Sequence, residues 1–200
     1  MIYLGMMLVN KILYVLDNNQ SSEYQYNIVE DTIIFHFSIN SSSKVKINLL
    51  TEGVQLYYYY SNINYSNHEF SIDIRHMKSN THSEVINHGV NVFNKKLKYS
   101  VNGIVEKDCS GCICNQENEI INMDDGKSEI CPNLIIDNYD VVANHGAYIG
   151  KFPFDKIFYL MSRGITRDEA NRLLLHGFLI ESDSIDVNRI SQFLDEIQKI

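Results

Sequence analysis

The sequence contains no tryptophan, only two prolines and no cysteine in its first half. A small disulfide scaffold spreads its crosslinks along the chain, so four cysteines confined to positions 109, 112, 114 and 131 point to chemistry rather than stapling. Positive charge is also scarce: Lys and Arg number 17 against 25 Asp and Glu, a formal net charge of -8. Nonspecific nucleic-acid binding needs a basic face to displace counterions, and we expect no nucleic-acid partner. There is no long hydrophobic run. The stretch from Ile2 to Leu16 is broken by Asn10 and Lys11, is too short to span a bilayer and lacks the frame of a signal peptide. We expect a buried strand or helix there, in a chain that is not exported and has no membrane partner. No GxxxxGK[ST], GxGxxG or GxSxG is present, which excludes those routes to ATP, dinucleotide or acyl-substrate binding.

Ile, Val, Tyr, Phe and Asn are abundant, which favours strands joined by short polar turns. Strand-type runs occur at 32–37, 44–49, 54–57, 70–74, 98–101, 119–121 and 134–136. Val45/Ile47/Leu49 and Phe70/Ile72/Ile74 alternate with polar residues, so one face is buried and the other wet. In the run Tyr57-Tyr58-Tyr59-Tyr60, alternation places two rings inside and two outside. Many strands without helical periodicity leave a sandwich, a barrel or an irregular β-solenoid.

The texture changes after Gly150. Phe154, Ile157, Phe158 and Met161 recur at helical spacing, and Gly164 is placed to end that helix in a left-handed cap. Thr166 and Glu169 form a capping box for a second helix with the stripe Ala170, Leu173, Leu174, Gly177 and Phe178. Asp186 can cap a third, with Ile190, Phe193, Leu194 and Ile197 on its apolar face. The expected organisation is mainly β over residues 1–150 and helical over 151–200, with the helical stripes buried against the end of the β body.

The segment 144–150, Asn-His-Gly-Ala-Tyr-Ile-Gly, is followed by Phe158-Tyr159-Leu160-Met161-Ser162-Arg163-Gly164-Ile165, then Glu169-Ala170 and Gly177-Phe178. This order and spacing resembles the C-terminal signature of the SufB/SufD family of iron–sulfur cluster assembly scaffolds. Upstream, His76, Thr81, Ser83, Gly89-Val90, Asn102-Gly103-Ile104-Val105, Gln116 and Pro132 are similar to residues on the family's coils. The likeness runs from about 70 to 180, and Gly146 after His145 is the SufD-like form. The first 60 residues are read as an irregular start of the same body.

The resemblance implies a right-handed parallel β-helix (a β-solenoid) and a non-catalytic role, with ATP hydrolysis left to a SufC-type ATPase that docks on the C-terminal helices. It also implies pairing with a SufB/SufD-type subunit, or with a second copy as a dimer, around a transient iron–sulfur cluster, and no nucleotide on this chain. His145 matches the family's interface histidine, and imidazole ligates iron in Rieske-type clusters. Tyr159, Arg163, Arg167, Arg172 and Glu181 are candidates for docking the ATPase; an exposed charged helix face is otherwise only solvated surface.

Cys109, Cys112, Cys114 and Cys131 supply enough thiolates for a zinc site or a cluster. With the family's coil of about 20 residues, Cys131 would lie above Cys109 and close the site. Their positions do not follow the family motif, and the plain alternative is three loop thiols and one packed thiol. The histidines at 36, 68, 76, 82, 88 and 176 form no ligand pair and are read as structural. Two other functions remain open at this point: a stand-alone cysteine-centred metal or redox protein, and a carbohydrate-active β-helix enzyme. The expected location is cytoplasmic, or a plastid-type organelle, since the Asn/Ile/Lys-rich composition suits an AT-rich genome.

Overall fold

A computed structural model describes residues 10–180 and 185–200. Residues 1–9 of the apolar N-terminal run, and Glu181, lie outside the described residues. Eleven strands come first: β1 (Lys11–Asn18), β2 (Ser21–Ile28), β3 (Thr32–Ile39), β4 (Ser42–Leu49), β5 (Gln55–Asn64) and β6 (His68–His76), then β7 (His82–Asn91), β8 (Lys96–Val105), β9 (Cys112–Asn122), β10 (Lys127–Ile136) and β11 (Val141–Gly150). Helices α1 (Phe154–Ser162) and α2 (Arg167–Leu179) follow, then a 3-10 turn (Val187–Ile190) leading into α3 (Ser191–Ile197).

The strands alternate between two sheets, ordered β1-β3-β5-β7-β9-β11 and β10-β8-β6-β4-β2, and all neighbours are parallel. Successive strands never pair with each other, so the chain winds as a β-solenoid, one strand of each sheet per coil. This settles the choice among sandwich, barrel and solenoid. The coils lengthen along the chain: Lys11 lies beside Thr32, 21 residues on, whereas Ser83 lies beside Cys114, 31 residues on.

Inward positions stack into apolar files. Val45 and Ile47 lie beside Ile72 and Ile74 within one sheet, flanked by the inward Phe70 and Leu49, and Leu56, Tyr58 and Tyr60 line the other; all are buried. Tyr58 and Tyr60 point inward while Tyr57 and Tyr59 stand outside, as alternation requires. Tyr60 stacks on Phe70 with centroids 3.7 Å apart, and Tyr59 on Phe35 at 5.3 Å. Corners are turned by Asn19 (φ 51°) and Asn40 (φ 46°), one coil apart. Asparagine tolerates this left-handed backbone, and Asn40 Nδ2 donates to Asn19 Oδ1 at 2.9 Å.

The helical tail does not cap the end of the solenoid. Leu175, Leu179, Ile190, Phe193 and Ile197 fold back onto the outer face of the six-stranded sheet, against Ile33, Phe35, Phe37, Ile39, Ile63 and Val90. This is why β3 is buried along its whole length: its inward residues meet the lumen and its outward ones meet the tail. Helix α1 departs further from expectation, because none of its residues is buried. Its end is as predicted: Gly164 (φ 87°) donates to Met161 O and Ile165 to Leu160 O, a Schellman closure. The Thr166–Glu169 capping box is formed, and Asp186 caps the 3-10 turn through Asn188 N rather than α3 itself.

Candidate functional site

β10 and β11 are the last strands of their sheets, so each has one hydrogen-bonded neighbour and one free edge among the described residues. His145 sits on β11, exposed, in register with Gln116 of β9, which lies beside Val85 of β7 and then Tyr58 of β5. Its neighbour Asn144 points outward and donates to Asn115 Oδ1 at 3.1 Å. Strand alternation therefore aims His145 toward the mouth of the lumen. The inner wall turns polar on approach: buried Asn87, Gln116 and Asn118 replace the tyrosines of earlier coils, and Asn118 Nδ2 donates to Gly146 O at 3.0 Å. An added Cβ at Gly146 would find nothing nearer than Gln116 O at 3.9 Å, so the opening beside His145 is not sterically closed.

Outside this mouth runs a shallow groove with Glu84, Asn115, Glu117, Glu119, Asn144 and Tyr148 on its walls. Burial and the charge of Glu117 raise the Glu119 carboxyl above the ordinary glutamate range, with Lys156 opposing. Glu84 is held low by the hydrogen bond from His82, against burial. An exposed imidazole between an acidic groove and a polar lumen can offer a nitrogen lone pair to a metal approaching from the open end.

The four cysteines do not converge. Cys109, Cys112 and Cys114 are buried with Val105, and Leu134, Ile136, Val141 and Ala143 pack against them. Burial pushes the Cys114 thiol up to about 11, with a hydrogen bond to Ser83 acting against it. Burial, with the nearby Cys112, also raises Cys109. Thiols so placed stay protonated near neutrality. Cys131 does not lie above Cys109: the coil here is 31 residues long, not about 20, so its in-register neighbour is Ser100. It faces the other way, with Sγ donating to Glu129 Oε1 at 3.2 Å, and that hydrogen bond and burial raise its pKa. Among the described residues no group of three or more His, Cys, Asp or Glu side chains is placed to hold a metal ion.

Two histidines first read as structural anchor buried polar networks. His76 contacts Thr81 Oγ1 at 2.8 Å through Nδ1 and Ser83 Oγ at 2.9 Å through Nε2. The Thr81 hydroxyl donates to Lys78 O at 3.0 Å, which leaves its oxygen to accept from Nδ1–H. His36 bridges Asp17 Oδ2 at 2.9 Å and Tyr58 Oη at 2.7 Å, all fully buried. Nothing in the sequence marks Asp17; the one trace is a histidine inside the otherwise apolar run of β3.

On the tail, Tyr159 is 58% exposed with the Arg163 guanidinium over its ring at 5.3 Å. Arg163 and Arg167 are exposed and Arg172 is half-buried. Sequence reasoning emphasised these charges, whereas the larger feature is apolar: Phe154, Phe158, Met161 and Leu173 are all exposed as well. No described helix is long and apolar enough to cross a membrane.

Comparison with known proteins accords with this architecture. A family model described as the SUF system FeS cluster assembly SufBD core domain matches residues 29–178. The chain is 32% identical over 111 residues to the iron–sulfur cluster assembly protein SufD of Bacillus subtilis, covering 55% of this chain and 25% of that protein. It is 29% identical over 128 residues to SufB of the same organism, covering 59% and 27%. A SufBD family protein, ycf24, of Galdieria sulphuraria is 28% identical over 112 residues, covering 53% and 48%. The matched stretch thus spans about a quarter of the Bacillus relatives' length. With a parallel β-solenoid, a helical tail and a core-domain match over most of its length, the chain belongs to the SufBD family of iron–sulfur cluster assembly proteins.

Proposed function

We propose that this chain is a non-catalytic scaffold subunit of a SUF-type assembly complex. It pairs through the open end of its solenoid with another SufB/SufD-type subunit or a second copy, and holds iron and sulfide at that junction through His145. The observation that carries this reading is the placement of His145: exposed, on the terminal strand of an uncapped solenoid, with Val142, Tyr148 and Ile149 exposed on the same strand. The cluster is cargo. The cysteines form no convergent set for it, so the cysteine-centred reading loses its support and the partner subunit supplies the remaining ligands.

The second contact is with a SufC-type ATPase. Phe154, Phe158, Tyr159 and Met161 on α1, with Leu173 on α2, present apolar surface that the fold itself does not use, and Arg163, Arg167 and Arg172 stand near it. Contiguous exposed apolar residues of this kind mark interaction sites. ATP turnover belongs to that partner, and the cytoplasm is the expected compartment.

The test is anaerobic co-purification with the SufC-type ATPase of the same organism, then iron and sulfide reconstitution read by absorbance and metal analysis. Wild type should retain the ATPase and form a cluster. His145→Ala should keep the ATPase and lose the cluster, whereas Phe158→Asp should release the ATPase. A cluster that forms equally well on His145→Ala would sink the assignment of the site.

A further inference from the structure

Gln116 is 4% exposed and lies in register directly behind His145. Its Nε2 donates to Asn133 O at 3.2 Å across the lumen, which fixes the orientation of the amide. Gly103 makes room for this crossing, since a Cβ there would come within 2.8 Å of Nε2. The carbonyl Oε1 is then left buried with no hydrogen-bond partner. It is one of several such buried atoms among the described residues, and it is set apart by lying in register with an exposed imidazole that can donate to it.

Elsewhere this solenoid joins polar register partners directly. Asn27 with Asn48, Asn64 with Asn91, Asn87 with Asn118, Asn102 with Asn133 and Asn115 with Asn144 are linked by side-chain hydrogen bonds of 2.8 to 3.1 Å. In each, the donor nitrogen is one bond beyond Cγ. The Nδ1 of a histidine occupies the same place in its side chain, so the imidazole of His145 has the reach to make the equivalent bond to the residue behind it.

We propose that Gln116 is the positioning residue of His145: with the imidazole turned inward, before as well as after metal arrives, His145 Nδ1–H donates to Gln116 Oε1, and the Nε2 lone pair is turned outward to the iron. The inference rests on the scaffold reading above and adds the ring orientation and tautomer. Ligating histidines commonly donate their second ring N–H to a carbonyl, which raises the basicity of the ligating nitrogen. Here a buried amide supplies that carbonyl from the preceding coil.

Two readouts test it on the full chain. In metal-free protein labelled with 15N-histidine, long-range 15N–1H spectra should show His145 as the Nδ1–H tautomer in wild type and in Gln116→Asn, which keeps an acceptor of the kind used in the asparagine ladders. Gln116→Met, of similar volume but without the carbonyl, should revert to the Nε2–H form that solvated imidazole prefers. Anaerobic titration of the chain assembled with its SufB/SufD-type partner subunit, using Co2+ as a spectroscopic stand-in for ferrous iron, should show affinity reduced roughly 10–100-fold in Gln116→Met, the range for loss of an outer-shell partner, and largely retained in Gln116→Asn. Thermal melts establish that each variant is folded. An Nε2–H tautomer in wild type, or a His145-dependent Co2+ site indifferent to Gln116→Met, overturns the positioning role and leaves the scaffold reading intact. Co2+ affinity in the assembly that is unchanged in His145→Ala overturns the assignment of the site to His145, and this inference with it.

Discussion

Asp17 places a carboxylate where no water reaches, and the residues around it answer that cost one hydrogen bond at a time. Oδ1 accepts from Gln20, Ser22 and Tyr24, and Oδ2 from Ser43 and His36. Burial alone would raise its pKa; the bonds from His36, Ser43, Tyr24 and Gln20 outweigh it and hold the carboxyl far below the usual range. His36 is held neutral by burial against the pull of Asp17, so Nε2–H donates to the carboxylate and Nδ1 accepts from Tyr58. Asp17→Ala strips several buried neutral donors of their acceptor and should lower the unfolding free energy by about 1–3 kcal/mol for each donor left buried and unpaired, measured by urea denaturation at pH 7. His76 gives a pH signature. Burial, with the charge of His82, lowers its pKa to about 4, against an ordinary value of 6.5. A depressed folded pKa means that the unfolded chain binds the proton first. The stabilisation is therefore complete above pH 6.5 and is lost progressively down to about pH 4. Within that window His76 should contribute about 1.4 kcal/mol of slope per pH unit, and His76→Asn should flatten the pH dependence of the unfolding free energy from urea denaturation by that amount.

At the scale of elements, the helices differ in how much of themselves the fold buries: α2 and α3 have buried residues and α1 has none. Phe193 on α3 is fully buried and sits 5.0 Å from Phe37 of β3, so Phe193→Ala should cost about 3–5 kcal/mol and loosen the tail. Phe158 on α1 is 60% exposed, so Phe158→Asp should leave stability within about 0.5 kcal/mol, and under the proposed docking it should release the ATPase. The contrast between these two variants, read by thermal melting and pull-down together, separates presentation from packing. What was legible beforehand follows the same division. Runs such as Val45/Ile47/Leu49 advertise a strand because their inward residues are apolar, whereas β7 and β11 put Ser83, Asn87 and His145 inward and carry no such pattern. The helix caps could be read because Thr166, Glu169 and Gly164 do local chemistry at fixed spacing. The destination of each helical face could not, since an apolar stripe is the same whether its own sheet or another protein covers it. His145 was visible only through family resemblance, and Gln116 only once register placed it behind that ring. The expected stacking of Cys131 over Cys109 fails because the coils widen by ten residues along the chain, from 21 to 31, which no local pattern announces.

For the whole molecule, stability is nearly one-dimensional: each coil contacts its neighbours and little else except where the tail lies across β3, β5 and β7. Amide exchange should therefore be slowest in β5 to β8 and fastest in β2, β10 and β11, which have one neighbour and no covering helix among the described residues. Pairing through the open end should slow exchange in β10 and β11 by at least about tenfold and leave β1 and β2 unchanged; equal protection in monomer and assembly would place the interface elsewhere. Charge then separates the two candidate partners. The groove beside His145 carries Glu84, Glu117 and Glu119, and the chain has a net charge of -8. A two-fold homodimer brings two such grooves together, and this repulsion is screened as ionic strength rises through the range where the Debye length falls to about 8 Å. Self-association should thus tighten between low and physiological salt, whereas a complementary basic subunit would bind more weakly over the same range. Sedimentation of the chain alone and mixed with a SufB-type subunit, at two salt concentrations, reads the sign directly, and homodimers that dissociate as salt is added would rule out a junction that brings the two acidic grooves face to face.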